Sequence, residues 1–172
     1  MSTDPRDEVD ALVEAWRRER PDLDVAPLEV LSRVSRLARH LDLARRQAFE
    51  THDLEPWEFD VLAALRREGP PYALSPGRLL QVTLVTSGTM TNRIDRLEAK
   101  GLVERVPDPT DGRSVRVLLT DGGRTRVDDA LTDLLAHERA ILAALTVTER
   151  ERLATVLRSL TLPFDTANTP PT

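Results

Sequence analysis

The chain has no cysteine, which excludes disulfide bridges, thiolate nucleophiles and any cysteine-based redox switch. No apolar run approaches the ~18 residues that a membrane-spanning helix needs. The opening residues, MSTDPRDEVDALVEAW, are acidic and lack the basic-then-apolar order of a secretory leader, which places the chain in the cytoplasm. Catalytic signatures are also missing: there is no P-loop, no G-x-G-x-x-G, no H-E-x-x-H and no nucleophile elbow. The three histidines, His40, His52 and His137, are widely separated, so a metal centre built on them is not expected. The sequence therefore argues against an enzyme and calls for neither cofactor nor metal. Positive charge is in short supply as well, with 24 Lys and Arg against 29 Asp and Glu, a net charge of −5.

What is present suits a folded protein, since 40% of the 172 residues are hydrophobic, enough for one domain or two small lobes sharing a core. The net charge conceals an asymmetry. Asp4, Asp7, Glu8, Asp10, Glu14 and Glu19 crowd the start, while residues 78–126 are richer in arginine. An acidic protein can still bind DNA when its basic side chains converge on one face.

Hydrophobic periodicity and capping residues predict a mainly α fold with a small β-hairpin. A short helix covers residues 9–19 around Leu12, Val13 and Trp16. A long one covers 28–50, with Leu28, Leu31, Val34, Leu37, Leu41 and Ala44 on one stripe. The next opens on Pro56 and closes on Gly69, and a short helix follows, capped by Ser75 with Pro76 at its first position. A helix over 87–100 is capped by Thr86 or Ser87 and stopped by Gly101. LVERV and SVRVLLT read as strands joined by PDPTDGR. A long helix from about Thr120 carries Val127, Leu131, Leu134, Leu135, Ile141, Leu142 and Leu145, and Thr148 with Glu151 forms a capping box for the last helix. Residues 166–172 read as a disordered tail. Residues 1–53 and 121–165 would form a helical region whose apolar stripes pair with a second copy, flanking a compact module at 54–120.

That module has the chemistry of a DNA reader. In the helix at 87–100, Met90, Ile94 and Leu97 share one face and should pack inward, leaving Thr89, Asn92 and Arg96 outward. Asn suits adenine, Arg suits guanine and Thr suits a thymine methyl, while a small polar first turn lets free backbone N–H groups approach a phosphate. Ser87 and Thr91 belong to the same polar surface. With the preceding helix and a tight VT connection, this makes a helix-turn-helix, and the hairpin forms a wing. Arg113 at the wing tip, and Arg116 beyond it, are placed for a phosphate or the minor groove, with Asp111 expected to hold the Arg113 guanidinium.

The segments EFDVLAALRREG and LSPGRLLQVTLVTSGTMTNRIDRLEAKGLVERVPDPTDGRSVRVLLTDGGR resemble the MarR (multiple antibiotic resistance regulator) family, over roughly residues 28–160. The resemblance implies a winged helix-turn-helix homodimer on pseudo-palindromic duplex DNA, acting as a repressor that a small ligand releases. A narrower similarity, to the family's urate-responsive subgroup, rests on EAWRRERPDLD and on four positions: Trp16, Asp60, Arg93 and Arg105. It implies that these bind a small anionic aromatic ligand, urate or a related purine. A guanidinium fork suits the oxygens of such a molecule, an indole can stack on it and a carboxylate can accept a ring N–H. Arg93 lies ~70° from the centre of the buried face at ~100° per residue, on the flank of its helix. Two other readings stay open: a sensor of a phenolic or other aromatic carboxylate, and a winged-helix protein-interaction module without ligand response.

Overall fold

Caps and apolar stripes resolve, in a computed structural model describing residues 6–83, 86–111 and 113–167, into seven α-helices and one three-stranded sheet among those residues. Helix α1 (Glu8–Glu19) begins where the Asp7 carboxylate accepts the N–H groups of Val9 and Asp10, at 2.8 and 3.1 Å, and the Asp10 carboxylate accepts the N–H of Asp7 at 2.8 Å. Val9 and Val13 bury themselves against Val25 and Leu28, outside the main core. Across this small contact Arg33 of α2 (Ala26–Glu50) donates to Asp7 at 2.8 and 3.0 Å and to Asp10 at 2.7 Å.

The main core is built around α3 (Pro56–Glu68), which buries Phe59, Val61, Leu62, Ala63, Ala64 and Leu65. Phe59 stacks on Phe49 of α2 with ring centroids 4.1 Å apart. Gly69 ends α3 at a φ of 80°, a conformation that glycine adopts without penalty. Strand β1 (Ala73–Leu74) comes next, followed by α4 (Pro76–Thr83), whose start is capped by Ser75 Oγ accepting the Arg78 N–H at 3.2 Å. Helix α5 (Ser87–Ala99) contributes Met90, Ile94 and Leu97 to the core. Strands β2 (Val103–Pro107) and β3 (Val115–Leu119) pair antiparallel with Arg105 opposite Val117, and β1 pairs antiparallel with the other edge of β3.

The chain then enters α6 (Asp121–Ile141) with Thr120 as cap, its hydroxyl accepting the Gly123 N–H at 3.0 Å and donating to the Gly101 carbonyl at 2.8 Å. This junction is tight: a Cβ on Gly123 would lie 2.0 Å from the Leu102 carbonyl oxygen. A 3₁₀ turn (Leu142–Ala144) leads to α7 (Val147–Ala167).

Four expectations are corrected. The hairpin is part of a three-stranded sheet, because β1 is only two residues long and has no periodicity to betray it. The long helix from Thr120 stops at Ile141, so Leu142 and Leu145 lie beyond it; Leu145 is extended, which frees the next residue to cap. The capping box is therefore Thr146 with Glu149, one Thr-x-x-Glu register earlier than Thr148 with Glu151: the Glu149 carboxylate accepts the Thr146 N–H at 2.7 Å. Residues 166 and 167 are helical rather than tail, and 168–172 lie outside the described residues.

Along the α2 stripe Ala44 is buried and Leu28 and Leu41 are half-buried, but Leu31, Val34 and Leu37 are exposed. Leu131 and Leu135 of α6 and Val156, Leu160 and Phe164 of α7 are exposed too. The apolar surface of both chain ends thus lies uncovered in the single chain.

Two outcomes are expected. Gly123→Ala forces a methyl into backbone that cannot yield, so it should destabilise by roughly 1–3 kcal/mol; an unchanged denaturation midpoint would contradict the tight α6 entry. Arg33 is the chief cause holding the Asp7 carboxyl down to about 2, below its ordinary 3.8. A depressed folded value means that this pair supports α1 docking fully above about 3.8 and loses that support as pH falls towards 2. In a Trp57→Phe protein, Trp16 emission should follow that loss, whereas added Arg33→Ala should show the undocked signal already at neutral pH.

Candidate nucleic-acid interface and ligand cleft

The VT connection expected between α4 and α5 includes Val85, which with Leu84 lies outside the described residues. With Met90, Ile94 and Leu97 buried, α5 presents Ser87, Gly88, Thr89, Thr91 and Asn92 to solvent. Thr86, at the cap, makes no side-chain bond to the first-turn N–H groups; its hydroxyl lies 2.9 Å from that of Thr89 instead. Those N–H groups remain available to an anion. The Thr91 hydroxyl donates to the Ser87 carbonyl at 3.2 Å, so Thr91 offers mainly its methyl group.

The wing is stiffened by two aspartates. Asp108 accepts the Thr110 N–H and hydroxyl at 2.8 and 2.6 Å, and Asp111 accepts the Arg113 N–H at 3.0 Å and the Ser114 hydroxyl at 2.7 Å. Both carboxyls titrate below the ordinary range, the hydroxyl bonds from Thr110 and Ser114 being the leading causes. Asp111 therefore holds the backbone of Arg113, not its guanidinium as expected from sequence. The guanidinium of Arg113 is exposed and has no ion pair among the described residues. Arg116 differs, with Nε 3.0 Å from Asp108 Oδ2, as an ion pair rather than an aligned hydrogen bond.

Arg96 does not simply project outward. Its Nη2 donates to Glu55 Oε1 at 2.6 Å, and its guanidinium carbon lies 4.8 Å from the centre of the Trp57 ring. Arg93, half-buried on the helix flank as expected, lies over the same ring at 5.2 Å. Trp57 Nε1 in turn donates to Glu55 Oε2 at 2.6 Å, and these two bonds hold the Glu55 carboxyl below its ordinary range, Trp57 first and Arg96 second. Trp57, Gly88, Thr89, Asn92, Arg93 and Arg96 line an open cleft of about 450 Å³.

The four expected ligand residues are not joined by any hydrogen bond, ion pair or ring contact to one another among the described residues. Asp60 pairs with Arg45 of α2 at 2.8 Å. Arg105 donates to Asp95 and Glu98 of α5, and these partners, Asp95 first, hold it more firmly protonated. Trp16 is exposed on α1, and the indole beside Arg93 is Trp57. Sequence reasoning missed Glu55 and Trp57 as partners of α5. The available signal was the Arg93 and Arg96 spacing, which puts two guanidinium groups on one helical flank in need of a counterpart.

It also missed Glu58, which is fully buried. Its Oε2 accepts from Lys100 Nζ at 3.0 Å and from the Glu55 N–H at 2.9 Å, fastening the end of α5 to the start of α3. Six apolar positions follow within seven residues of it, and nothing in that spacing marks it as an interior residue.

A polar recognition helix, packed by three apolar residues and followed by a stiff arginine-tipped hairpin, defines a winged-helix DNA-binding transcriptional regulator. Residues 52–114 match the MarR family. Over 150 residues the chain is 39% identical to the HTH-type transcriptional regulator PecS of Dickeya dadantii (strain 3937), covering 87% of this chain and 90% of that protein. It is similar in structure to a MarR variant from E. coli complexed with operator DNA (TM-score 0.63, 28% identity, covering 79% of this chain and 94% of that one). The same holds for BpsR of Bordetella bronchiseptica, whose DNA binding is regulated by 6-hydroxynicotinic acid (TM-score 0.57, 28% identity, covering 74% and 92%). The chain belongs to the MarR family, whose members here are transcriptional regulators and not enzymes. Among the described residues no helix is long and apolar enough to cross a membrane, and no cluster of His, Cys, Asp and Glu could hold a metal.

Arg113→Ala should weaken duplex binding and reduce the slope of log affinity against log salt by about 1, as one lost phosphate contact requires. A salt titration by fluorescence anisotropy reads this directly, and an unchanged slope would remove Arg113 from the interface.

Proposed function

We propose that the protein binds a pseudo-palindromic duplex operator as a homodimer, represses from it, and is released by a small anionic aromatic ligand, urate or a related purine. Ser87, Thr89, Thr91, Asn92 and Arg96 would face the major groove, with Arg113 and Arg116 on the flanking backbone or minor groove. The observation that carries the DNA reading is the exposure of the polar face of α5 while Met90, Ile94 and Leu97 are buried.

The uncovered apolar surface at residues 1–53 and 121–165 supports pairing with a second copy, leaving 54–120 as the DNA-binding module. Leu12 and Trp16, one turn apart on α1, are both exposed and extend that surface. Trp16 is thus free to reach a ligand only when other chain elements, of this copy or the second, come near it.

Asp60 and Arg93 sit on neighbouring elements, α3 and α5, and Arg105 grips α5 through Asp95 and Glu98. A ligand that recruits Asp60 and Arg93 would compete with Arg45 for the one and with Trp57 for the other, and so would reset the angle of α5. A coupling of ~1–3 kcal/mol corresponds to a several-fold to about hundredfold loss of DNA affinity. BpsR's response to 6-hydroxynicotinic acid favours a second reading, an aromatic carboxylate held by the same arginines.

The test is anisotropy on a duplex carrying the inverted repeat upstream of the protein's own gene, with urate and 6-hydroxynicotinate in parallel. Urate should release the wild type, while Arg93→Ala should still bind DNA and ignore urate. Release by 6-hydroxynicotinate alone would select the second reading. Arg93→Ala that keeps a full response would refute the pocket.

A further inference from the structure

The Arg96 guanidinium is already occupied. It is bonded to Glu55 and lies over the Trp57 ring, while the second oxygen of Glu55 is taken by the Trp57 indole N–H. A carboxylate held on both oxygens is a fixed acceptor, with much less freedom than a carboxylate on a loose side chain. It presents to Arg96 what DNA would present: an anionic or carbonyl oxygen in the plane of the guanidinium. Half of each partner's side chain remains accessible, with 49% of Arg96 and 52% of Glu55 exposed, so the pair can be opened without unfolding anything.

We propose that Glu55 is an intramolecular competitor of DNA for Arg96, a specificity-determining residue that stands in for the DNA acceptor when DNA is absent. This rests on the reading of Arg96 as a DNA contact. On a duplex offering Arg96 a well-placed acceptor, the guanidinium exchanges one charged or carbonyl partner for another and leaves Trp57. On a duplex lacking one, Arg96 stays with Glu55, and the contact is never made. Glu55 thus subtracts most from binding where the acceptor is good, because only there is its bond given up, and little where Arg96 stays with it. Operator affinity is lowered, and the gap between operator and other duplexes is set narrower than Arg96 alone would make it.

The experiment is a double-mutant cycle on the operator duplex and on a scrambled duplex of equal length, with Glu55→Gln, Arg96→Ala and the pair. Glutamine keeps the acceptor for Trp57 and removes the charge. Expected is tighter binding by Glu55→Gln, by about fivefold as for an exposed ion pair, with the larger gain on the operator duplex. In the Arg96→Ala background the same substitution should change nothing. An equal gain with and without Arg96 would mean that Glu55 acts only through its general negative charge, and would overturn the proposal. No gain, or weaker binding, would make the pair a structural brace and overturn it as well. A second readout follows Arg96 itself: in a Trp16→Phe protein, Trp57 emission should change on adding operator and should not change when Arg96 is alanine. Wild-type protein that binds no duplex at low salt would refute the DNA reading itself, a result distinct from a cycle without coupling.

Discussion

Everything that α5 can offer to a partner is set by the burial of Met90, Ile94 and Leu97 beneath it. These three side chains enter the same core as α3 and the inner residues of the sheet, Val103, Val117 and Leu119. At roughly 1.5–3 kcal/mol for each fully buried large apolar side chain, they fix the rotation of the helix about its axis more firmly than any surface contact could. Once that rotation is fixed, Asn92 and Thr89 must face solvent, and Arg93 must lie on the flank. The Glu58–Lys100 pair then pins the far end of the helix. A buried carboxylate without its partner is costly, about 3–5 kcal/mol when one side of such a pair is removed, so Lys100, the residue capping the end of α5, is a structural residue.

Much of this was legible beforehand, because it depends on local signals. The inward face of α5, the Pro56 and Gly69 punctuation of α3, the Ser75 cap and the paired strands of the wing all follow from spacing and capping chemistry that act over a few residues. What stayed hidden needs contacts between elements distant in sequence. Strand β1 exists only because β3 has a free edge beside it. Arg96 looks outward on a helical wheel, yet Glu55 lies 41 residues away and captures it. TVTERE contains two overlapping capping boxes, and the choice between them depends on where α6 stops.

The electrostatics of the wing and α5 explain how a chain of net charge −5 can serve as a DNA reader. Several of its arginines are neutralised within the chain: Arg96 by Glu55, Arg105 by Asp95 and Glu98, and Arg116 by Asp108. Such pairs hold side chains in place and cancel their long-range field. A surface of this kind gathers fewer counterions and attracts duplexes less indiscriminately than one of unpaired arginines, so more of its binding must come from fitted contacts. Arg113, without an ion pair among the described residues, is the counterexample, and in the proposed complex it would supply a general pull at the tip of the wing.

Helix α3 is where these strands of reasoning meet. Within six residues Glu55, Trp57, Glu58 and Asp60 engage Arg96, Arg93, Lys100 and Arg45. The first three partners belong to α5 or its end, and the last to α2, whose apolar stripe is part of the surface left uncovered in a single chain. The start of α3 is therefore a bracket between α5 and the helical region at the chain ends. A molecule that changes partners in that bracket changes two interfaces together, because the same rigid turn holds both. Coupling needs no long pathway here, only two arrangements of a few side chains that differ in which carboxylate or ring each arginine touches.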